Sequence, residues 1–207
     1  MSFATDAKSE IMRAPCEQES AVRCEMNAAF LLSGSISFKG AGRYLLSMSS
    51  ESAAVARYCF TQVRRLSEIK LEIQTVRSSQ LGDHTRYRLE LSEADSALLL
   101  DKLGLLDPAA FLGIRREPPA LDGETERAWL RGAFLATGWV AAPEKAYNVE
   151  FALSGEDHAE YTARLLNGMG IRAGVSPRKS QTVVYVKDFE GVSRLLALMG
   201  AFNAYMA

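Results

Sequence analysis

Metal binding and nucleophilic catalysis draw first on histidine and cysteine, and this chain offers His84, His158, Cys16, Cys24 and Cys59. The cysteines are odd in number, widely spaced and form no C-x-x-C pair, the pattern of buried or idle thiols in a reducing compartment. The histidines lie in different halves, one near an expected turn and one in an expected helix. Neither a zinc centre nor a catalytic triad can be assembled from this inventory. A G-x-S-x-G elbow is absent, as is a glycine loop ending in Gly-Lys-Ser/Thr. The expectation is a chain without catalytic residues, metal or cofactor.

Charge narrows the partners. Lys and Arg number 24 against 25 Asp and Glu, a net charge of -1 over 207 residues. That balance argues against strong non-specific attraction to nucleic acid or an anionic membrane, so any such partner must be met by a local patch. A hydrophobic content of 48% is enough for a substantial core. The opening "MSFATDAKSEIMRAP" lacks the apolar centre of a signal peptide, and no stretch reaches the roughly 18 apolar residues of a membrane span. These features read as a soluble, cytoplasmic protein with no membrane partner.

The elements that must position any site are written twice. Placing Gly34 on Gly138 aligns Ala28-Ala29-Phe30-Leu31 with Gly132-Ala133-Phe134-Leu135, two short apolar helices rich in small residues. The match continues: "RYLLSMSS" (43 to 50) and "YNVEFALS" (147 to 154) alternate like half-buried strands. Next come helices at 51 to 66 and 156 to 170, the first with Val55, Tyr58, Cys59, Val63 and Leu66 on one face. Hairpins follow, around "QLGDH" and around "RKSQ", then closing helices at 93 to 106 and 189 to 202. With first hairpin partners near 35 to 38 and 139 to 142, each half reads αββαββα. A short helix at 2 to 13 precedes them, and "RREPPALDGE" reads as a linker.

The expected organisation is a helical arm at 1–23, a first repeat at 24–115, a linker at 116–123 and a second repeat at 124–207. Ala28, Ala29 and Gly34 are expected to face Gly132, Ala133 and Gly138, letting two helix backbones approach across a pseudo-twofold axis. The tail "LLALMGAFNAYMA" stays apolar to its last residue. It is therefore expected to be helical to the end, and to belong to a longer chain or pack on a partner.

The duplicated helix resembles the LAGLIDADG helix of homing endonucleases in their single-chain, two-repeat form. More closely, "RAWLRGAFLATGWVAAPEKAYNVEF", "LLNGMGIRAGVSPRKSQTVVYVKD" and "MSFATDAKSEI" are similar to the WhiA family of bacterial sporulation and cell-division regulators, over nearly the whole chain. "LRGAF" followed by "PEKAY" is the most specific portion. The chain departs from the family pattern at Thr137, where a second glycine is usual, at Asn148, where a histidine is usual, and at "ETERAW", where cysteines are.

The resemblance implies an α+β fold of tandem LAGLIDADG-like repeats with saddle-shaped antiparallel sheets. It also implies what became of the nuclease centre. In the nucleases each repeated helix ends in an acid before its last glycine, and the two acids hold divalent metal over the scissile phosphates. Ser33 and Thr137 occupy those positions here, and neutral hydroxyls cannot take that role. What remains implied is a sheet surface lying on double-stranded DNA, with basic side chains meeting phosphates. The second half supplies Arg172, Arg178, Lys179 and Lys187 with no acid between the first and the last; the first supplies Lys70, Arg77, Arg86 and Arg88, diluted by Glu72, Asp83 and Glu90. A solvated charged surface accounts for these residues equally well. WhiA-like proteins carry a C-terminal helix-turn-helix domain, and no such segment follows Ala207, so DNA affinity is expected to be weak. The expected function is a DNA-binding transcription regulator whose degenerate nuclease fold binds or scaffolds. The alternative is a protein-interaction or dimerisation domain, meeting other regulatory proteins without touching DNA.

Overall fold

Two long apolar helices with small residues at their crossing organise the molecule. The computed structural model describes residues 2–78, 84–118 and 120–203. Helix α2 (Glu19–Ser33) and helix α5 (Gly123–Thr137) lie side by side, with Ala28, Ala29 and Ala133 fully buried between and around them. A Cβ added at Gly132 would fall on the backbone carbonyl of Glu25 and lie 3.1 Å from the Cβ of Ala28. The helices therefore meet backbone to backbone, which only glycine at that position allows. Asp122 starts α5 with a capping box: its side chain accepts from the Thr125 amide while the Thr125 hydroxyl accepts from the Asp122 amide.

Each long helix runs directly into a four-stranded antiparallel sheet. The first sheet has the order β1-β2-β4-β3, from β1 (Gly34–Gly40), β2 (Arg43–Ser50), β3 (Glu72–Ser78) and β4 (His84–Glu90). The second repeats it as β5-β6-β8-β7, from β5 (Gly138–Val140), β6 (Val149–Leu153), β7 (Gly174–Pro177) and β8 (Thr182–Val186). No strand pairing among the described residues joins the two sheets. Crossover helices α3 (Ala53–Leu66) and α6 (Glu156–Gly168), and closing helices α4 (Glu93–Lys102) and α7 (Phe189–Met199), complete the two αββαββα units. Alternation puts Tyr44, Leu46, Met48 and Leu89 of one sheet, and Val149, Phe151, Leu153 and Val184 of the other, into a single apolar core with the helices. Helix α1 (Phe3–Arg13) joins that core through Ala4, Ala7 and Ile11.

Two expectations are corrected here. Gly34 and Gly138 do not sit between the helices: each is the first residue of a strand, and a Cβ there would strike the carbonyl of Phe30 or Phe134 in its own helix. They are needed for the abrupt turn from helix to strand, not for the helix crossing. The apolar tail is not one continuous helix either. Helix α7 ends at Met199, and Gly200 adopts a left-handed conformation (φ 85°) that closes it; residues 204–207 lie outside the described residues.

A polar network crosses the buried seam with the symmetry of the repeat. In the alignment that places Gly34 on Gly138, Glu25 matches Trp129 and Asn27 matches Arg131. Arg131 Nε donates to Glu25 Oε1 at 3.0 Å, and in the mirrored contact Trp129 Nε1 donates to Asn27 Oδ1 at 3.2 Å. Both Asn27 and Arg131 also reach the end of their own repeat's closing helix: Asn27 Nδ2 donates to Leu103 O at 2.8 Å, Arg131 Nη1 to Met199 O at 2.9 Å. Arg131 differs by having donors left over. Its Nη2 donates to Ile11 O (3.0 Å) and Ala14 O (2.8 Å) at the end of α1. A cation at the carboxyl ends of two helices is also favoured by their dipoles.

Glu25 is wholly enclosed and accepts a further bond from Tyr58 Oη at 2.9 Å. Burial pushes its carboxyl above the ordinary value, opposed by the Arg131 guanidinium and the Tyr58 hydroxyl. Burial works against the charge on Arg131 as well, but Glu25 more than offsets it and holds the guanidinium charged. Removing one member strands the other in a medium that cannot solvate it. Arg131→Met is expected to lower unfolding stability by about 3–5 kcal/mol in urea titrations. Glu25→Gln, which keeps a carbonyl oxygen for Arg131 Nε and turns an amide N–H toward the Tyr58 oxygen, is expected to cost less.

Candidate nucleic-acid interface

Strand alternation fixes which basic residues share a surface. On the first sheet Arg86 and Arg88 lie on the face turned away from the helices, together with Glu72 and Glu90 across the ladder. Arg88 donates to Ser47 Oγ at 3.1 Å and stands 4.0 Å from Glu90, while Arg86 lies 3.5 Å from Glu51. Arg77 pairs with Thr85, in line with Ile73 and Leu89, so its side of the ladder is the opposite one. Lys70 precedes β3, exposed between buried Ile69 and Leu71.

On the second sheet the outward face carries Trp139, Glu150 and Tyr185. Arg178, in the β7–β8 turn, contacts both Glu150 carboxylate oxygens at 3.2 Å, with Lys179 exposed beside it. Lys187 Nζ stands 4.3 Å from the Tyr185 ring centroid. Arg172 is placed elsewhere, in a small pocket with Asp188, Glu190 and Arg194 at the start of α7. The structure thus brings Arg86 with Arg88, and Arg178 with Lys179 and Lys187, onto the outward side of the sheets. It separates Arg77 and Arg172 from them, because the ladder register turns Arg77 to the opposite face and the loop before β7 carries Arg172 to the start of α7.

Between the sheets, below the ends of α2 and α5, lies a cleft of about 590 Å³. Ser33 and Thr137 are at its head, and both hydroxyls turn back on their own helices: Ser33 Oγ donates to Ala29 O at 2.6 Å, Thr137 Oγ1 to Ala133 O at 2.8 Å. Each hydroxyl proton is thereby spent on a carbonyl of its own helix. Lys8 of α1 reaches the same place. Its Nζ donates to Leu135 O at 3.1 Å and stands 5.7 Å from the Phe134 ring centroid. Burial lowers the Lys8 amine from 10.5 to about 8, with Glu51 pulling it back up.

Composition and spacing did not single out Lys8, Glu51 or Trp139, all of which line this cleft. One signal was available. In α1 the buried Ala4, Ala7 and Ile11 trace a helical stripe, and Lys8 falls on it at i+4 from Ala4. The thiols of Cys24 and Cys59 are buried, and burial pushes both upward in pKa, which leaves them poor nucleophiles.

Two family models match the chain: the WhiA N-terminal LAGLIDADG-like domain over residues 19–106 and the WhiA LAGLIDADG-like domain over residues 126–207. A "probable cell division protein WhiA" of Alkaliphilus metalliredigens is 31% identical over 211 residues, covering all of this chain and 67% of the relative. The chain belongs to the WhiA family. The corresponding protein of Symbiobacterium thermophilum is 30% identical over 208 residues, again across the whole chain but 66% of its own length. The chain thus spans about two thirds of the WhiA relatives it matches. Full-length WhiA from Thermatoga maritima superposes with a TM-score of 0.72 at 19% identity, over 97% of this chain and 62% of that one. The homing endonuclease I-DmoI, solved with DNA and Mn, superposes with a TM-score of 0.56 at 14% identity, over 88% of this chain and 97% of that one. The fold is α+β, homing-endonuclease-like, with two LAGLIDADG-like repeats.

The lowered Lys8 pKa has a consequence for stability. The folded chain holds this proton less tightly than the unfolded one, so between about pH 8 and 10.5 the unfolded state binds more protons and stability rises with pH. Lys8→Met is expected to remove that rise, measured as unfolding free energy against pH. In 13C-labelled lysine spectra, a signal titrating near pH 8 is expected in the parent protein and absent from the variant.

Proposed function

We propose that this chain is the non-cleaving, DNA-contacting module of a bacterial regulator of cell division and sporulation gene expression. The observation that carries the reading is the pairing of an intact two-sheet, homing-endonuclease-like surface with helix ends that hold no acid. Ser33 and Thr137 use their hydroxyl protons on the helix backbone and have no carboxylate with which to fix a divalent ion. Arg86 and Arg88 on one sheet, and Arg178, Lys179 and Lys187 on the other, supply phosphate contacts on the outward side. Such contacts place a protein on duplex DNA without reading sequence.

The ion pairs temper that affinity. Arg178 must leave Glu150, and Arg86 must leave Glu51, before either meets a phosphate. Binding is then weak and steeply dependent on salt. The same pairing favours a second reading, in which this surface meets another regulatory protein and never DNA.

Fluorescence anisotropy with a short duplex, titrated across salt concentrations, separates the two. Measurable binding at low salt is expected, and Arg178→Glu with Lys179→Glu is expected to weaken it and to make the log–log salt slope shallower by about two phosphate contacts. No binding at low salt, or an unchanged slope in the variant, would transfer the function to protein interaction. Incubation with plasmid and magnesium is expected to leave the plasmid intact.

A further inference from the structure

We propose that the cleft below the ends of α2 and α5 is a binding site for a nucleoside phosphate. The cleft of about 590 Å³ falls inside the roughly 300–1,000 Å³ usual for small-molecule sites. Its charged lining is Lys8, Arg86 and one acid, Glu51, a cationic balance in a protein whose net charge is -1. At the two helix ends, where carboxylates would repel a phosphate, stand neutral Ser33 and Thr137. With neutral hydroxyls at both helix ends and the Lys8 ammonium beside them, the head of the cleft suits an anion.

Lys8 is placed for that task. One ammonium proton is used on Leu135 O, and an ammonium has three to give. With its pKa lowered to about 8, the amine is still mostly protonated at neutral pH, and an arriving phosphate would raise it again. Helix α3 adds to the same field: Ser52 caps it by accepting from the Val55 amide, and Ala54 of its first turn lines the cleft.

The remaining wall asks for something flat rather than a bare ion. Trp139 is 47% exposed and lines the cleft, and Gln181 belongs to the same lining. A tryptophan face and an amide are suited to a heteroaromatic base, which stacks on the one and hydrogen-bonds to the other. An anionic end and an aromatic end within one cleft describe a mononucleotide. This site does not depend on the sheets contacting DNA.

The experiment titrates the 207-residue protein with adenosine 5′-monophosphate, with adenosine and with inorganic phosphate, following tryptophan emission and heat. Trp129 is buried, so an accessible ligand reports through Trp139. Saturable quenching by the monophosphate is expected, with adenosine and phosphate each binding more weakly. Lys8→Met is expected to weaken the monophosphate by about tenfold or more, the loss of a charge-assisted contact. Arg86→Gln provides a second test should Lys8→Met fail to fold, and Arg172→Gln, outside the cleft, is expected to bind as the parent does. Absence of quenching and heat at about millimolar monophosphate, or affinity unchanged in both Lys8→Met and Arg86→Gln, overturns the proposal. A short duplex that quenches Trp139 in a Lys8-dependent way while the monophosphate does not also overturns it, since the cleft would then be part of a DNA surface.

Discussion

A guanidinium taken out of water must be surrounded by acceptors, and the acceptors around Arg131 come from every part of the molecule that has to be held together. Glu25 on the facing helix takes one N–H, the end of α7 takes another, and the end of α1 takes two more. The pseudo-symmetric partner, Asn27, does half of this: it accepts across the seam from Trp129 and donates to the closing helix of its own repeat. Helix α1 is what breaks the symmetry. A side chain with more donors stands where the arm must be fastened, so the arginine of "LRGAF" follows from α1 as much as from the helix crossing.

That fastening determines what the helix ends can do. With α1 held at its carboxyl end by Arg131, Lys8 one turn earlier is brought to the last turn of α5, where it bonds Leu135 O. The place between the repeats is then occupied by a protein cation and by hydroxyls folded back onto their own helices. Full-length WhiA from Thermatoga maritima and the homing endonuclease I-DmoI share this fold.

The fold was readable because its signals are periodic. Apolar residues recur every three or four positions in the helices and every second position in the strands, and both patterns occur twice, so the architecture survives errors at individual residues. Gly34 and Gly138 show where this stops. Their small size was legible, but its reason was a turn from helix to strand, which is a matter of local backbone path rather than helix packing. Charged residues fared worse because their role depends on what they meet. Arg172 and Arg178 look alike in the chain, yet one faces Asp188 and Glu190 near α7 and the other pairs with Glu150 on the sheet. Glu25 and Arg131 interrupt apolar runs, a signal that a buried partner is required, but nothing local names the partner.

One buried arginine, paired with Glu25, fastens the arm and the closing helix to the seam between the repeats. Hydrogen exchange on the Arg131→Met protein under native conditions tests it most directly. Amides of α1 and of the last turns of α7 are expected to lose protection together, while the strands of both sheets keep theirs. Full protection of α1 in the variant, or loss confined to α5, would contradict it.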